Sequence, residues 1–325
     1  MEDKLRIQNP IVFERADPWV YLHTDGYYYF TGSVPGYQGI EVRRSRSIND
    51  LENAEKVLVW HAHDTGPMSR LIWAPEIHFL DGKWYIYFAA SDDEDLRNRH
   101  HHHRMFVIEN ANANPFEGSW QEKGQLKTQF ESFSLDGTVF TLKDKLYYVW
   151  AQQDPNIPGN SNLYISEMAS PWTLKGKQTL ISMPTEPWEK IGFKVNEGPA
   201  AIIRNGKVFI TYSGSATDEN YAMGLLWADE SSDLLDGFSW HKELKPVFVS
   251  SERHHQFGPG HNSFTTGPNG EDILIYHARP EKNQEGDPLS NPNRHAIAQQ
   301  FDWNEAGFPV FGEPVENTRE LEVKN

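Results

Sequence analysis

The sequence predicts an all-β fold: a five-bladed β-propeller whose four-stranded antiparallel blades surround a central channel. Three observations lead there. Short aromatic and β-branched runs, YYYF, KWYIYFAA, KLYYVW, KVFITYSG and DILIYHA, are punctuated by Gly, Pro, Asp and Asn. No long helical periodicity competes with them. The hairpin turns also recur about every sixty residues, a spacing that marks propellers and solenoids.

The repeats can be taken in order. Their turns begin at Asp25-Gly26, Asp81-Gly82, Asp144-Lys145, Asn205-Gly206 and Asn269-Gly270. Four of the five are Asp-Gly or Asn-Gly, the pairs that favour tight hairpins because both residues tolerate a left-handed backbone. Each turn leads into an aromatic or β-branched strand, and each repeat is long enough for one four-stranded blade. The last repeat reaches Asn325, and no low-complexity linker or shift in composition divides the chain. One domain over residues 1–325 is therefore expected.

Counting eight residues back from each turn reaches Asp17, Trp73, Asp136, Glu197 and His261. In a propeller the first strand of every blade lines the channel, and equivalent positions meet in a ring at one mouth. Three carboxyl groups, an indole and an imidazole are thus expected around one small space. Singly each has an ordinary reading: Asp17 before a proline or Asp136 before a glycine as a turn residue, Trp73 as core. The shared register is what points to chemistry.

Converging carboxyl groups suit glycoside hydrolysis, in which one acid protonates the leaving oxygen and another activates water or attacks the anomeric carbon. A third acid nearby keeps the proton donor protonated by like-charge repulsion. Phosphoryl transfer suits the sequence less well, since it contains no Gly-rich phosphate loop. A net charge of −16 also disfavours phosphate backbones and anionic lipid, so neither nucleic acid nor membrane is an expected partner.

Trp73 offers a flat apolar face for a sugar. His261 has three open readings: a buried hydrogen-bonded ring, a metal ligand or a substrate contact. Arg294 precedes an alternating strand in the last repeat, where its guanidinium fork could hold adjacent hydroxyls. The run RHHHHR, Arg99 to Arg104, which includes His100 to His103, reads as an exposed loop rather than a metal site. The chain has no cysteine, and its first residues lack a basic segment followed by an apolar one. A cytoplasmic location is the expectation, with secretion if a leader has been removed.

The motifs RADPWVYLHTDGYYYFTGS, IWAPEIHFLDGKWYIYFAAS, SLDGTVF, VNEGPAAI, GPGHNSF and GDPLSNPNRHAIAQQFDWNEAGFPVFG, in this order, resemble glycoside hydrolase family 43 over essentially the whole chain. The resemblance implies an inverting hydrolase with Asp17 as general base, Glu197 as general acid and Asp136 as the residue that tunes and orients the acid. It implies that Trp73 and Arg294 contact the sugar in the minus-one subsite, and His261 is taken as a further candidate substrate contact. It further implies that His261 takes part in a central metal site, often calcium, largely through water, and that no cofactor enters the chemistry. Within the family the sequence is most similar to exo-acting α-L-arabinofuranosidases, which release terminal arabinose from arabinan or arabino-oligosaccharides, with α-1,5 linkages expected. β-Xylosidases and endo-arabinanases of the family share the triad, and a non-catalytic glycan-binding propeller is the third reading.

Overall fold

The computed structural model describes residues 5–93, 102–282, 284 and 286–320. Among the described residues, four antiparallel sheets of four strands follow one another along the chain, each with its strands in sequential order, and a fifth contains three. They are the five blades. Their inner strands are Ala16–Leu22, Arg70–Leu80, Ser134–Leu142, Asn196–Arg204 and Phe257–Thr266.

The fifth blade gains an outer edge from the start of the chain. The amide of Ile11 donates to the carbonyl of Ala296 at 2.8 Å, and the Ala296 amide donates to the Val12 carbonyl at 2.9 Å. Ile11, Val12, Ala296 and Ala298 share one buried apolar cluster with Val20 and Ile275. The ring is therefore closed by pairing an early segment with a late strand, which satisfies an edge that would otherwise be open.

Packing between blades is aromatic. Trp84, Tyr29 and Ile77 join blades 1 and 2, while Tyr87, Tyr148 and Tyr212 belong to the cluster spanning blades 2, 3 and 4. Fully burying each such side chain contributes about 1.5–3 kcal/mol.

The central feature is a bulge repeated in all five inner strands. Ala16 pairs with Ser33 and Trp19 with Thr31, so three residues advance against two. The same extra residue lies between Trp73 and Glu76, Leu135 and Thr138, Glu197 and Ala200, and Gly260 and Ser263. At each bulge one residue takes a left-handed φ: Asp17, Ala74, Asp136, Gly198 and His261. A bulge turns a side chain out of the ladder and re-aims it, and here it does so at the channel mouth.

The expected single register is corrected by this geometry. Asp17, Asp136 and His261 occupy the bulged position, whereas Trp73 and Glu197 stand one residue before it. The offset comes from three hairpins. Those of the first and fifth blades have three-residue loops, Thr24 to Gly26 and Pro268 to Gly270, so their Asp-Gly and Asn-Gly pairs begin one residue late. In the third, Leu142 pairs with Lys145, so its turn is Lys143-Asp144, both left-handed, one residue earlier than the Asp-Lys pair suggests.

Candidate active site

The bulges are tied blade to blade. The amide of Ala74 donates to Ser33 Oγ at 2.9 Å, and that hydroxyl donates to Asp17 Oδ2 at 2.6 Å. The Gly198 amide donates to Asp136 Oδ2 at 3.0 Å, and the His261 amide donates to Ser213 Oγ at 2.8 Å. The Asp17 amide ties blade 1 to blade 5, donating to Nδ1 of His277 at 3.1 Å. Four bulge amides, buried donors that would be costly to leave unmet, are thus each given to a side chain of the preceding blade.

Asp17, Asp136, Glu197, Trp73, His261 and Arg294 all line one cavity of about 140 Å³. That is below the several hundred Å³ of common ligand pockets and suits a single small sugar. Every side chain singled out for the site from the sequence is thus brought together. Phe133, Leu135 and Phe193 give the cavity an apolar wall.

The three carboxyl groups differ electrostatically. Asp17 accepts from Ser33, and its Oδ1 lies 3.4 Å from Nη1 of Arg294 and 3.2 Å from Nδ1 of His261. Burial works to raise its pKa, but the charges of His261, when protonated, and Arg294 outweigh this and hold it well below the usual carboxylate range. Burial in turn lowers the His261 imidazole, so Arg294 is the permanent cation beside Asp17.

Glu197 behaves in the opposite way. Burial pushes its carboxyl up to about 7, even though the Tyr221 hydroxyl donates to Oε1 at 2.8 Å. Asp136 is also raised, by burial first and then by the negative charges of Glu197 and Asp17. Repulsion between Asp136 and Glu197 is mutual, so the two titrate as a pair. Gly198 N–H can only donate and so favours the anion on Asp136, whereas the Tyr221 hydroxyl, which donates to Glu197 but can turn to accept from it, favours that anion less strongly. The proton of the pair is therefore favoured on Glu197.

Several site residues had no sequence reading. Tyr221 lies against His277 with near-parallel rings 5.6 Å apart, and burial holds the pKa of His277 down to about 3. Gly260 makes room for Tyr221, because a Cβ there would lie 2.5 Å from its ring. Tyr37 accepts from Nη2 of Arg294 at 3.1 Å. Ser33, Ser213 and His277 share one signal: each pairs across the ladder with the residue just before a bulge.

The histidine run requires a correction. His100 and His101 lie outside the described residues. His102 is exposed beside Asp92, but His103 is fully buried, its ring stacked on Trp73 with centroids 3.8 Å apart and planes at 20°. Its Nε2 lies 3.0 Å from the carbonyl of Leu71. Part of an apparent loop thus backs the indole of the cavity.

Among the described residues no group of three His, Asp or Glu side chains is arranged to hold a metal ion. Calcium takes six to eight oxygen ligands, and His261 offers an imidazole whose Nδ1 already faces Asp17. These residues do not fit a calcium site built from protein ligands.

The family model for glycosyl hydrolases family 43 matches residues 7–309. The chain is 51% identical to an extracellular exo-α-(1→5)-L-arabinofuranosidase of Streptomyces avermitilis over 94% of its own length and 63% of that protein's. A protein of the same description from Streptomyces chartreusis is 49% identical over 86% of this chain and 85% of its own. The crystal structure of an α-L-arabinofuranosidase from Lactobacillus brevis superposes with a TM-score of 0.95 at 53% identity, covering 97% of this chain and 98% of that one. The chain thus spans under two thirds of the first relative.

The two Streptomyces relatives are named extracellular, which overturns the expectation of a cytoplasmic protein. The physical reason is that an export leader is cleaved from the mature protein, so its absence from a sequence carries no information on location.

Proposed function

Since the chain belongs to glycosyl hydrolases family 43, we propose that it is an inverting exo-α-L-arabinofuranosidase acting on arabinan or arabino-oligosaccharides outside the cell. The observation that carries this is one small cavity holding a carboxyl lowered by its neighbours, Asp17, and one raised to about 7, Glu197. Base and acid are then in their working protonation states at the same pH. The relatives' printed activities supply the sugar and the linkage.

In this reading a terminal arabinofuranosyl unit rests its C–H face on Trp73, and Arg294 and His261 meet its hydroxyls. Glu197 gives its proton to the glycosidic oxygen as the bond from that oxygen to the anomeric carbon breaks. Asp17 takes a proton from a water whose oxygen bonds to the same carbon from the opposite face, which inverts its configuration. Asp136, anionic and fixed by the Gly198 amide, keeps the shared proton on Glu197. After release Asp17 returns its proton to solvent and Glu197 regains one. A calcium ion is proposed only as a structural ion that His261 reaches through water, and no step runs through it. The propeller is proposed to carry the whole site as one domain.

Proton NMR during hydrolysis of linear α-1,5-arabino-oligosaccharides tests the reading. Arabinose released first as the β-anomer, with no ladder of shorter oligomers, is expected. An initial α-anomer would contradict inversion, a ladder would indicate endo action, and a preference for xylo-oligosaccharides would indicate a β-xylosidase.

A further inference from the structure

Glu197 is held differently from the other two carboxyl groups. Asp17 and Asp136 stand at the left-handed bulge position, whereas Glu197 pairs with Ser213 just before the ladder breaks, and the next paired residue is Ala200. Among the described residues its carboxyl takes one hydrogen bond, from Tyr221. The bulge interrupts the ladder on its C-terminal side, so its main chain has to be fixed from the N-terminal side, where Asn196 heads the inner strand.

Asn196 is fully buried and each of its polar groups is used. Its amide donates to the Ser161 carbonyl at 3.1 Å, and its carbonyl accepts from Ser161 Oγ at 3.0 Å. Oδ1 accepts from Ser182 Oγ at 2.6 Å, so blade 3 holds both its backbone and its side chain. Nδ2 donates at 2.9 Å to the Val195 carbonyl and, at the same distance, to Oε1 of Glu189. Glu189 is also fully buried and lies in residues 183–195, which carry the chain from blade 3 to blade 4. Its carboxylate accepts in addition from the Tyr212 hydroxyl at 2.8 Å and from the Glu186 amide at 2.7 Å, and it pairs with Nζ of Lys242 at 2.6 Å. The Glu186 amide, Asn196 Nδ2 and Lys242 Nζ can only donate, which suits a carboxylate at their centre.

A buried ion pair is weak evidence of stability, since apolar side chains of similar volume often replace one without loss. What the pair does supply is a fixed place for the groups bound to it, and here one of them is the residue joined to Glu197 by a peptide bond. We propose that Glu189, acting through Asn196, is a positioning residue that keeps Glu197 aimed at the leaving oxygen. The inference rests on the function proposed above. It adds no group to the chemistry: neither Glu189 nor Lys242 lines the cavity, and the aim of the acid is set from behind it. A misplacement of about 1 Å at a reacting group costs about a hundredfold in rate, so a modest slip of the strand head is enough to be seen.

The test compares losses on two substrates: a dinitrophenyl arabinofuranoside, whose leaving group departs without a proton, and α-1,5-arabinobiose, whose leaving sugar needs one. Asn196→Ala cuts the link and leaves the Glu189–Lys242 pair in place. Glu189→Met/Lys242→Met cuts it from the other end without leaving a charge buried alone. Each should lose about tenfold or more in kcat/KM on arabinobiose and less than about threefold on the dinitrophenyl substrate. The two changes combined should lose little more than either alone, as expected of steps along one route. If one variant does not fold, the other decides. Equal losses on both substrates, losses that multiply in the combined variant, or wild-type rates on arabinobiose would overturn the proposal. Glu197→Gln measured alongside separates this inference from the reading beneath it. A loss confined to arabinobiose in Glu197→Gln, with equal losses in the anchor variants, rejects the anchor alone, while equal losses in Glu197→Gln reject the acid and the anchor with it.

Discussion

The Arg294 guanidinium lies 3.4 Å from Oδ1 of Asp17, with both side chains buried and more than 270 residues between them in sequence. A permanent cation in a site of low dielectric is a strong influence on the carboxylate beside it. Arg294→Gln removes that charge and leaves burial to push the Asp17 pKa upward. The acid limb of kcat/KM, set by protonation of the base, should move to higher pH, and kcat/KM at its optimum should fall about a hundredfold. Measured pH–rate profiles of the two proteins check this; an unmoved acid limb would show that Arg294 does not govern Asp17.

The alkaline limb belongs to the pair containing Glu197, so activity should fall as pH rises through about 7, where the acid loses its proton. The Tyr221 hydroxyl stabilises the ionised form of Glu197. Tyr221→Phe should therefore shift the alkaline limb upward. Asp136→Asn should shift it downward, because it removes a neighbouring negative charge that disfavours ionisation. Opposite displacements in the two profiles are the signature expected.

His103 lies behind Trp73 without lining the cavity. His103→Ala removes the stacked support, so the indole should lose its fixed orientation and KM should rise several-fold, with a smaller change in kcat. His103→Phe retains a flat ring and should restore most of the lost binding. Steady-state kinetics of both variants checks this, and equal KM in His103→Ala and wild type would mean that the stack does not position the indole.

Much of this site was legible in the sequence because propeller repeats carry their own ruler. Asp-Gly and Asn-Gly turns mark the ends of inner strands, and a fixed distance from them reaches the channel mouth. The ruler ran one residue long at Asp17, Asp136 and His261, because their hairpin loops begin at Thr24, Lys143 and Pro268 rather than at the pairs counted. The repeated bulge was not legible, since no residue type encodes it: Asp, Ala, Gly and His all occupy the left-handed position. Tyr221 and His103 were missed for a different reason. They reach the ring from outside the inner strands, and only tertiary packing brings them there.

The account depends most on Glu197 being the group that protonates the leaving oxygen. Its direct test compares Glu197→Gln with wild type on two arabinofuranosides, one with a dinitrophenolate leaving group that departs without protonation and one with a sugar alcohol that cannot. The variant should lose about 10³-fold on the second and less than tenfold at the bond-breaking step on the first. Equal losses on both substrates would contradict the assignment of Glu197 as the acid.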